Sequence, residues 1–248
     1  MPEHDRMLMG KVVVITGAGR GIGRAIAVAY ANAGASIVCS ARSDSEIRET
    51  AAIIGSTGGC ATHWVTDVTD LASIDALFAH VVDSFGGLDI VVANAGIPGE
   101  SARVEVSAPD NWRNTLDVNL IGSYHTARAA IPALRQRGSG KILFIGSGMG
   151  HRGVPSRSAY CVSKAGLRML TRILAQELAP DGICVNELVP GPVNTDFIRG
   201  REHALRAASG GGEWFKQPDE VAPLALFLAC QPRDGPTGQT FSLARREL

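Results

Sequence analysis

The chain has little that would cross-link it or draw it to a polyanion. Its five cysteines, Cys39, Cys60, Cys161, Cys184 and Cys230, are odd in number, widely spaced and without a C-x-x-C pair. That excludes a disulfide framework and a zinc site of ordinary spacing, so no metal is expected and a reducing, cytoplasmic location is. An excess of one charge is also missing, because 24 basic side chains face 24 acidic ones. A balanced chain has no general attraction to nucleic acid or to an anionic membrane. Long apolar runs are lacking as well: Val221 to Cys230 falls far short of the roughly 18 residues of a membrane span. Residues 1–10 carry Glu3, His4, Asp5 and Arg6 in place of the apolar core of a signal peptide, and are expected to form a short tail. Aromatic residues are scarce, at 5%, whereas glycines number 29. Such a composition suits a fold with many tight turns between strands and helices.

What is present is an alternation of apolar strands and amphipathic segments. Lys11 to Thr16 is a β-branched run ending in glycines, Ile22 to Ala33 has helical spacing, and Ala35 to Ser40 supplies a second strand. Further strands are expected at Ala61 to Thr66, Leu88 to Ala93, Lys141 to Ile145 and Ile183 to Val189. Helices are expected at Leu71 to Phe85, from about Pro109 to Arg137, and at Ala159 to Leu178. Nearly all-apolar strands separated by helices imply a parallel sheet covered on both faces. The reading is therefore α/β, a single doubly wound Rossmann domain over residues 1–248, with a mainly parallel seven-stranded sheet. Residues 195–217, which contain Ser209-Gly-Gly-Gly212, are expected to form a lid over a site.

The first strand meets the first helix at Thr16-Gly17-Ala18-Gly19-Arg20-Gly21-Ile22-Gly23. A backbone here must turn sharply, present N–H groups at a helix N-terminus and admit a pyrophosphate without Cβ obstruction, which points to dinucleotide binding. Gly17, Arg20, Gly21, Ile22 and Gly23 are the candidates. The spacing T-G-x-x-x-G-I-G differs from the common G-x-G-x-x-G.

Tyr160 and Lys164 stand four residues apart, on one helix face about a turn from each other. A phenol, with a pKa near ~10, is a poor base, but a neighbouring ammonium and a nicotinamide cation favour the phenolate, making Tyr160 a usable acid and base. Ser147, at the end of the fifth strand, stands where open α/β sheets bind ligands and is expected to hydrogen-bond the substrate oxygen.

With Asn94-Ala95-Gly96, Asn119 in Asp117-Val-Asn-Leu120, Ser147, Tyr160-Cys-Val-Ser-Lys164, Pro190-Gly191 and Thr195 in order, the chain resembles the short-chain dehydrogenase/reductase family over nearly its whole length, with 3-oxoacyl reductases the nearest in character. The resemblance implies Asn119, Ser147, Tyr160 and Lys164 as the catalytic set, with Asn119 interrupting its helix and helping to hold a water that relays protons to Lys164. It implies that Lys164 holds the nicotinamide ribose, that Asp67 and Val68 contact adenine, and that Asn94 and Gly96 brace the sheet beside the ribose. Pro190, Gly191, Val193 and Thr195 are implied beside the nicotinamide. The family's glycine pair after the last strand is absent, since Thr237 to Leu243 runs into Ala244-Arg-Arg-Glu-Leu248.

Cofactor choice is read from the end of the second strand. Ala41 stands where an acid would bind the adenosine ribose and repel a 2′-phosphate. Arg42 and Arg20 offer two guanidinium groups to that phosphate, so NADP(H) is expected ahead of NAD(H). Asp44 is assigned to helix capping. The function expected is reduction of a carbonyl to a secondary alcohol, on a 3-oxoacyl thioester or another ketone, within EC 1.1.1.-. The alternatives are an NAD-dependent alcohol, sugar or sterol dehydrogenase, and a non-catalytic nucleotide-binding regulatory protein. The partner is a small carbonyl or alcohol substrate, and His151, Arg152 and Arg157 are read as a solvated loop that would be first to meet an anionic one. Apolar residues on several faces of the two long helices, among them Leu116, Leu120, Leu167, Met169 and Leu170, with the resemblance, imply a homotetramer or homodimer.

Overall fold

Val12–Thr16 (β1) is buried along its whole length, as expected of a β-branched strand at the centre of a sheet. A computed structural model describes residues 6–198, 214–245 and 248. In it β1 is joined by β2 (Ser36–Ala41), β3 (Cys60–Val65), β4 (Ile90–Ala93), β5 (Gly140–Ile145), β6 (Ile183–Val189) and β7 (Thr240–Ser242). The seven strands run in the order β3-β2-β1-β4-β5-β6-β7. Every pairing is parallel. The sheet is therefore doubly wound, as expected. The order reverses between β1 and β4, the point at which open α/β sheets bind ligands beyond the carboxyl ends of their strands.

Helices cover both faces. Residues of α1 (Gly21–Asn32), α2 (Asp44–Ser56) and α7 (Ala222–Ala229) form one core with Val13, Ile15 and Ile37. Residues of α3 (Leu71–Phe85), α5 (Gly122–Gln136) and α6 (Ser158–Leu178) form the other with Val12, Val14 and Val91. Alternate residues of β1 thus serve opposite cores, as the two-residue period of a strand requires.

Several expectations are corrected. The helical segment expected from Pro109 to Arg137 is two helices, α4 (Pro109–Leu116) and α5, joined by a π turn over Asp117–Ile121, so the chain is interrupted at Asn119 as the resemblance implies. β2 extends one residue beyond Ser40, to Ala41. Asp44 does not cap α2. Ser43 occupies that position, and Asp44, at the first helical residue, pairs with Arg48 at 2.7 Å and lies 3.8 Å from His63. Asp70, in contrast, does cap α3, accepting from the Ala72 N–H at 3.0 Å. The apolar run around Val221 to Cys230 contains α7, whose uniform hydrophobicity leaves no period to read.

Residues 195–217 leave and return side by side: the Asn194 N–H donates to the Lys216 carbonyl at 2.8 Å, and the Lys216 N–H to the Pro192 carbonyl at 3.1 Å. Of the lid expected over residues 195–217, residues 199–213, with Ser209 to Gly212 among them, lie outside the described residues. No described helix is long and apolar enough to cross a membrane.

Candidate active site

The glycine turn is built so that backbone can approach it. Gly17 and Gly21 have φ of +65° and +55°, which L side chains rarely adopt. A Cβ on Gly23 would collide with the Gly17 carbonyl and come within 2.5 Å of Asn94 Nδ2. Asn94, at the end of β4, locks this turn by donating from Nδ2 to the carbonyls of Thr16 and Gly17, 3.0 Å each. Thr16 Oγ1 in turn accepts from the Asn94 and Ala95 N–H groups at 3.1 and 3.2 Å. From the other side the Thr50 hydroxyl donates to the Ala18 carbonyl at 2.9 Å. Thr16 and Thr50 were not singled out from the sequence, because their partners are distant in the chain.

No side chain caps α1, whose N-cap is Arg20. The first-turn amides at Gly21, Ile22 and Gly23 are donors of the kind a pyrophosphate takes, in a cradle that any Cβ would fill. The residues present therefore fit a dinucleotide. Thr195 closes over the cradle, since a Cβ on Gly21 would lie 3.2 Å from its methyl group. Pro190, Gly191 and Val193 lead to it from β6, and Val193 forms a β-bridge with Lys216.

Arg20 and Arg42 do not converge. Arg20 pairs with Asp196 at 2.9 Å and lies 3.8 Å from Glu46, on a side chain that is 62% exposed. Arg42 is exposed at the far end of β2 and acts on Asp67. Partial burial would raise the Asp67 carboxyl, but hydrogen bonds from the Thr69 N–H and hydroxyl, with Arg42, outweigh it and hold the group below its usual range. Val68 is buried against Gly122, and its carbonyl lies 3.0 Å from His125 Nδ1.

Tyr160 and Lys164 occupy the first two turns of α6 and are both buried. Lys164 Nζ lies 5.9 Å from the Tyr160 ring centroid and donates to the Ile145 carbonyl, the last of β5, at 2.8 Å. Burial brings the ammonium down to about 8, and the negative charge of Glu187 acts the other way. Two residues beyond Ile145, Ser147 Oγ accepts from the Met149 N–H at 3.2 Å and so caps the 3₁₀ turn Gly148–Gly150. That turn lies on α6 so closely that a Cβ on Gly150 would meet the Lys164 backbone at 2.7 Å.

Asn119 reaches the same place from the π turn. Its Nδ2 donates to the Ile97 carbonyl at 3.0 Å and to Ser163 Oγ at 3.2 Å, and its Oδ1 accepts from the Ile97 N–H at 2.8 Å. A Cβ on Gly96 would lie 3.2 Å from Asn119 Oδ1 and 3.9 Å from Lys164 Nζ. Four separate segments, after β4, after β5, from the π turn and from α6, are thus gathered at one end of the sheet.

The loop between Ser147 and Tyr160 is not a solvated one throughout. The Arg157 guanidinium lies 5.7 Å from the Tyr160 ring centroid, and its Nη2 donates to the Pro98 carbonyl at 2.7 Å. Phe197 also packs on Tyr160, with ring centroids 5.7 Å apart and the rings tilted by 59°. Arg152 is exposed. His151 points inward: its side chain is 5% exposed, and Nε2 lies 3.2 Å from Glu187 Oε2. Glu187 was missed in the sequence, although one acid inside Ile-Cys-Val-Asn-Glu-Leu-Val is a legible signal.

The chain is similar to known proteins over nearly its whole length. The family model described as short chain dehydrogenase matches residues 11–205. The chain is 37% identical to a D-beta-hydroxybutyrate dehydrogenase of Rhizobium meliloti, over 89% of this chain and 92% of that protein. It is 32% identical to the 3-oxoacyl-[acyl-carrier-protein] reductase FabG of Vibrio cholerae, over 94% and 95%. A solved short-chain type dehydrogenase/reductase from Mycobacterium marinum superposes with a TM-score of 0.89 at 33% identity, covering 96% of each chain.

Proposed function

Since the chain belongs to the short-chain dehydrogenase/reductase family, and is therefore an oxidoreductase acting on alcohol or carbonyl groups, we propose that it reduces a ketone to a secondary alcohol with NADPH, using Tyr160 as the general acid. The observation that carries this reading is the placing of Tyr160, Lys164 and Ser147 together at the carboxyl end of the sheet, beside a glycine cradle that fits a dinucleotide.

A nucleotide held in the glycine cradle would supply hydride exchange with the substrate carbon, chemistry that is the cofactor's own. The chain's residues manage the oxygen. Ser147 orients the carbonyl and donates a hydrogen bond as charge develops on it. Tyr160 Oη gives that oxygen its proton, and the cations of Lys164 and Arg157, 5.9 and 5.7 Å from the ring centroid, stabilise the phenolate left behind. Asn119 fixes the Ile97 backbone beside Lys164, and Lys164 holds the nicotinamide ribose. Gly17, Gly21, Ile22 and Gly23 carry the pyrophosphate, and Asn94 and Gly96 brace the turn next to the ribose. Asp67 and Val68 border the adenine, and Pro190, Gly191, Val193 and Thr195 the nicotinamide.

NADPH is favoured over NADH because β2 ends in Ala41, Arg42 follows it exposed, and the charge of Asp44 is taken up by Arg48. Exposed ion pairs such as Arg20–Asp196 are worth only about 0–1 kcal/mol, so a 2′-phosphate can exchange with the carboxylate. One observation favours a second reading, an NAD-dependent alcohol dehydrogenase: Arg20 already has two acidic neighbours. A 3-oxoacyl thioester heads the substrate list on the likeness to FabG. The cytoplasm is the proposed location, consistent with five unpaired cysteines.

The test is a panel of ketones, 3-oxoacyl thioesters and secondary alcohols assayed at 340 nm with both nucleotides. Wild-type protein should turn over at least one class. Tyr160→Phe should keep its fold and nucleotide affinity while losing about 10²–10⁴-fold in turnover. Activity of Tyr160→Phe within about threefold of wild type would sink the assignment.

A further inference from the structure

One buried group has no part in the reaction just described. Glu187 lies within β6, a strand with no other charged residue, and its side chain has no exposed surface. A carboxylate in such a place is strongly disfavoured unless its oxygens are paired. Oε2 accepts from Thr240 Oγ1 of β7 at 2.7 Å and lies 3.2 Å from His151 Nε2. Oε1 has no hydrogen-bond partner among the described residues. The carboxylate lies directly over Gly146, where a Cβ would overlap Oε1 and Cδ.

These contacts bracket Ser147. Gly146 precedes it, and His151 ends the turn that it caps, so a single side chain is packed on one end of that turn and bonded to the other. We propose that Glu187, held by His151 and Thr240, is a positioning residue of the active site: it fixes the Ser147 turn and keeps Lys164 in its ammonium form. This rests on the reading of Ser147, Tyr160 and Lys164 as the reacting set.

The electrostatic half follows from geometry: the carboxylate lies over Gly146, next in the chain to Ile145, whose carbonyl accepts from Lys164 Nζ at 2.8 Å. The elements packed against α6 bring Asp110 and Arg113 of α4, both exposed, and Asp117 of the π turn. They also bring His151, Glu187, and Asp181, which is engaged by Arg135 beyond the other end of the helix. The helix's own first turn contributes Tyr160, with Arg157 just before it. Of these, Glu187 is the group whose charge supports the ammonium against burial. Without it Lys164 would lose its proton at a lower pH, and the cation next to Tyr160 would vanish near neutrality.

The chain has four lysines, Lys11, Lys141, Lys164 and Lys216. Labelling their ε-carbons with ¹³C allows Lys164 to be titrated by NMR in the intact protein, its signal identified by its loss in Lys164→Arg. Glu187→Gln and Glu187→Leu both remove the charge, and the second replaces a buried ion with an apolar side chain, a change that folds commonly tolerate. In whichever variant keeps its circular dichroism, the Lys164 midpoint should fall by about one pH unit or more while that of Lys11 stays in place. The alkaline limb of kcat/KM should move down by a matching amount. A Lys164 midpoint within about 0.3 pH units of wild type in the folded variants would overturn the proposal. This titration needs no substrate, so a panel without turnover would refute the proposed reaction and leave the coupling of Glu187 to Lys164 separately decided.

Discussion

Asn94 Nδ2 bridges two carbonyls of another strand's end, Thr16 and Gly17, at 3.0 Å each. The amide thereby couples β4 to the glycine turn across the point where the strand order reverses. Asn94→Ala should cost about 1–3 kcal/mol of stability, as two carbonyls lose their donor, and should weaken nucleotide binding. Gly23→Ala should abolish binding outright, because its Cβ has no room beside the Gly17 carbonyl. Chemical denaturation and nucleotide titration check both, and unaltered affinity in Gly23→Ala would contradict the cradle.

Lys164 makes stability depend on pH in an unusual sense. Burial lowers its folded pKa from 10.5 to about 8, so between those values the unfolded chain binds more protons and stability from this group rises with pH. Below about 8 the folded state bears the cost of a buried charge. Wild type should therefore gain on Lys164→Met by roughly 1–2 kcal/mol from pH 8 to pH 9.5. The difference cancels Cys39 and Tyr30, whose burial raises both groups and acts in the opposite direction. Parallel denaturation curves at the two pH values would refute it.

Cofactor preference should follow the end of β2. Ala41→Asp combined with Arg42→Ala places an acid at the adenosine ribose and removes a cation, so the ratio of kcat/KM for NADPH over NADH should fall by about 10–100-fold at matched salt. A wild-type preference for NADH would show that Asp196 and Glu46 keep Arg20 from the phosphate.

Assembly should depend on α5, α6 and the π turn. Leu167, expected to seek cover, is fully buried in the core, while Leu116, Leu120 and Leu170 are half-buried. Ile121, Tyr124, Val162, Met169 and Ile173 are the large apolar side chains these elements leave exposed, and a second copy of the chain is the proposed cover. Met169→Lys with Ile173→Glu should lower the mass found by light scattering to that of one chain. A wild-type monomer at micromolar concentration would exclude the interface.

The parts legible in the sequence were those whose signals are local. Leu71–Phe85 and Ile183–Val189 match their expected bounds, since a cap at Asp70 marks the one and an apolar run broken only by Asn186 and Glu187 marks the other. The four-residue spacing of Tyr160 and Lys164 fixed their relation as soon as the helix was recognised. What escaped was set by distant partners. His151 is 36 residues from Glu187, so nothing near it distinguishes a buried imidazole from a solvated one. Arg20 and Asp196 are separated by 176 residues, and no local pattern reports that their charges meet. The π turn left no trace in the apolar spacing, which averaged over a long helix conceals one extra residue, and an interruption at Asn119 was implied by the family resemblance alone.

That extra residue sets the phase between two surfaces. With 3.6 residues per turn, one residue more rotates all that follows by about 100° about the helix axis. Ahead of the rotation α4 packs towards α6; at it, Asn119 is turned fully inward; after it, α5 buries Ala127, Ala130 and Leu134 and leaves Tyr124 outside. Deleting a single residue within Asp117–Ile121 would restore a regular helix whose two halves cannot both keep their faces. The active site and the apolar surface are thus indexed to each other like two teeth of one gear, and an indel here would disengage both at once.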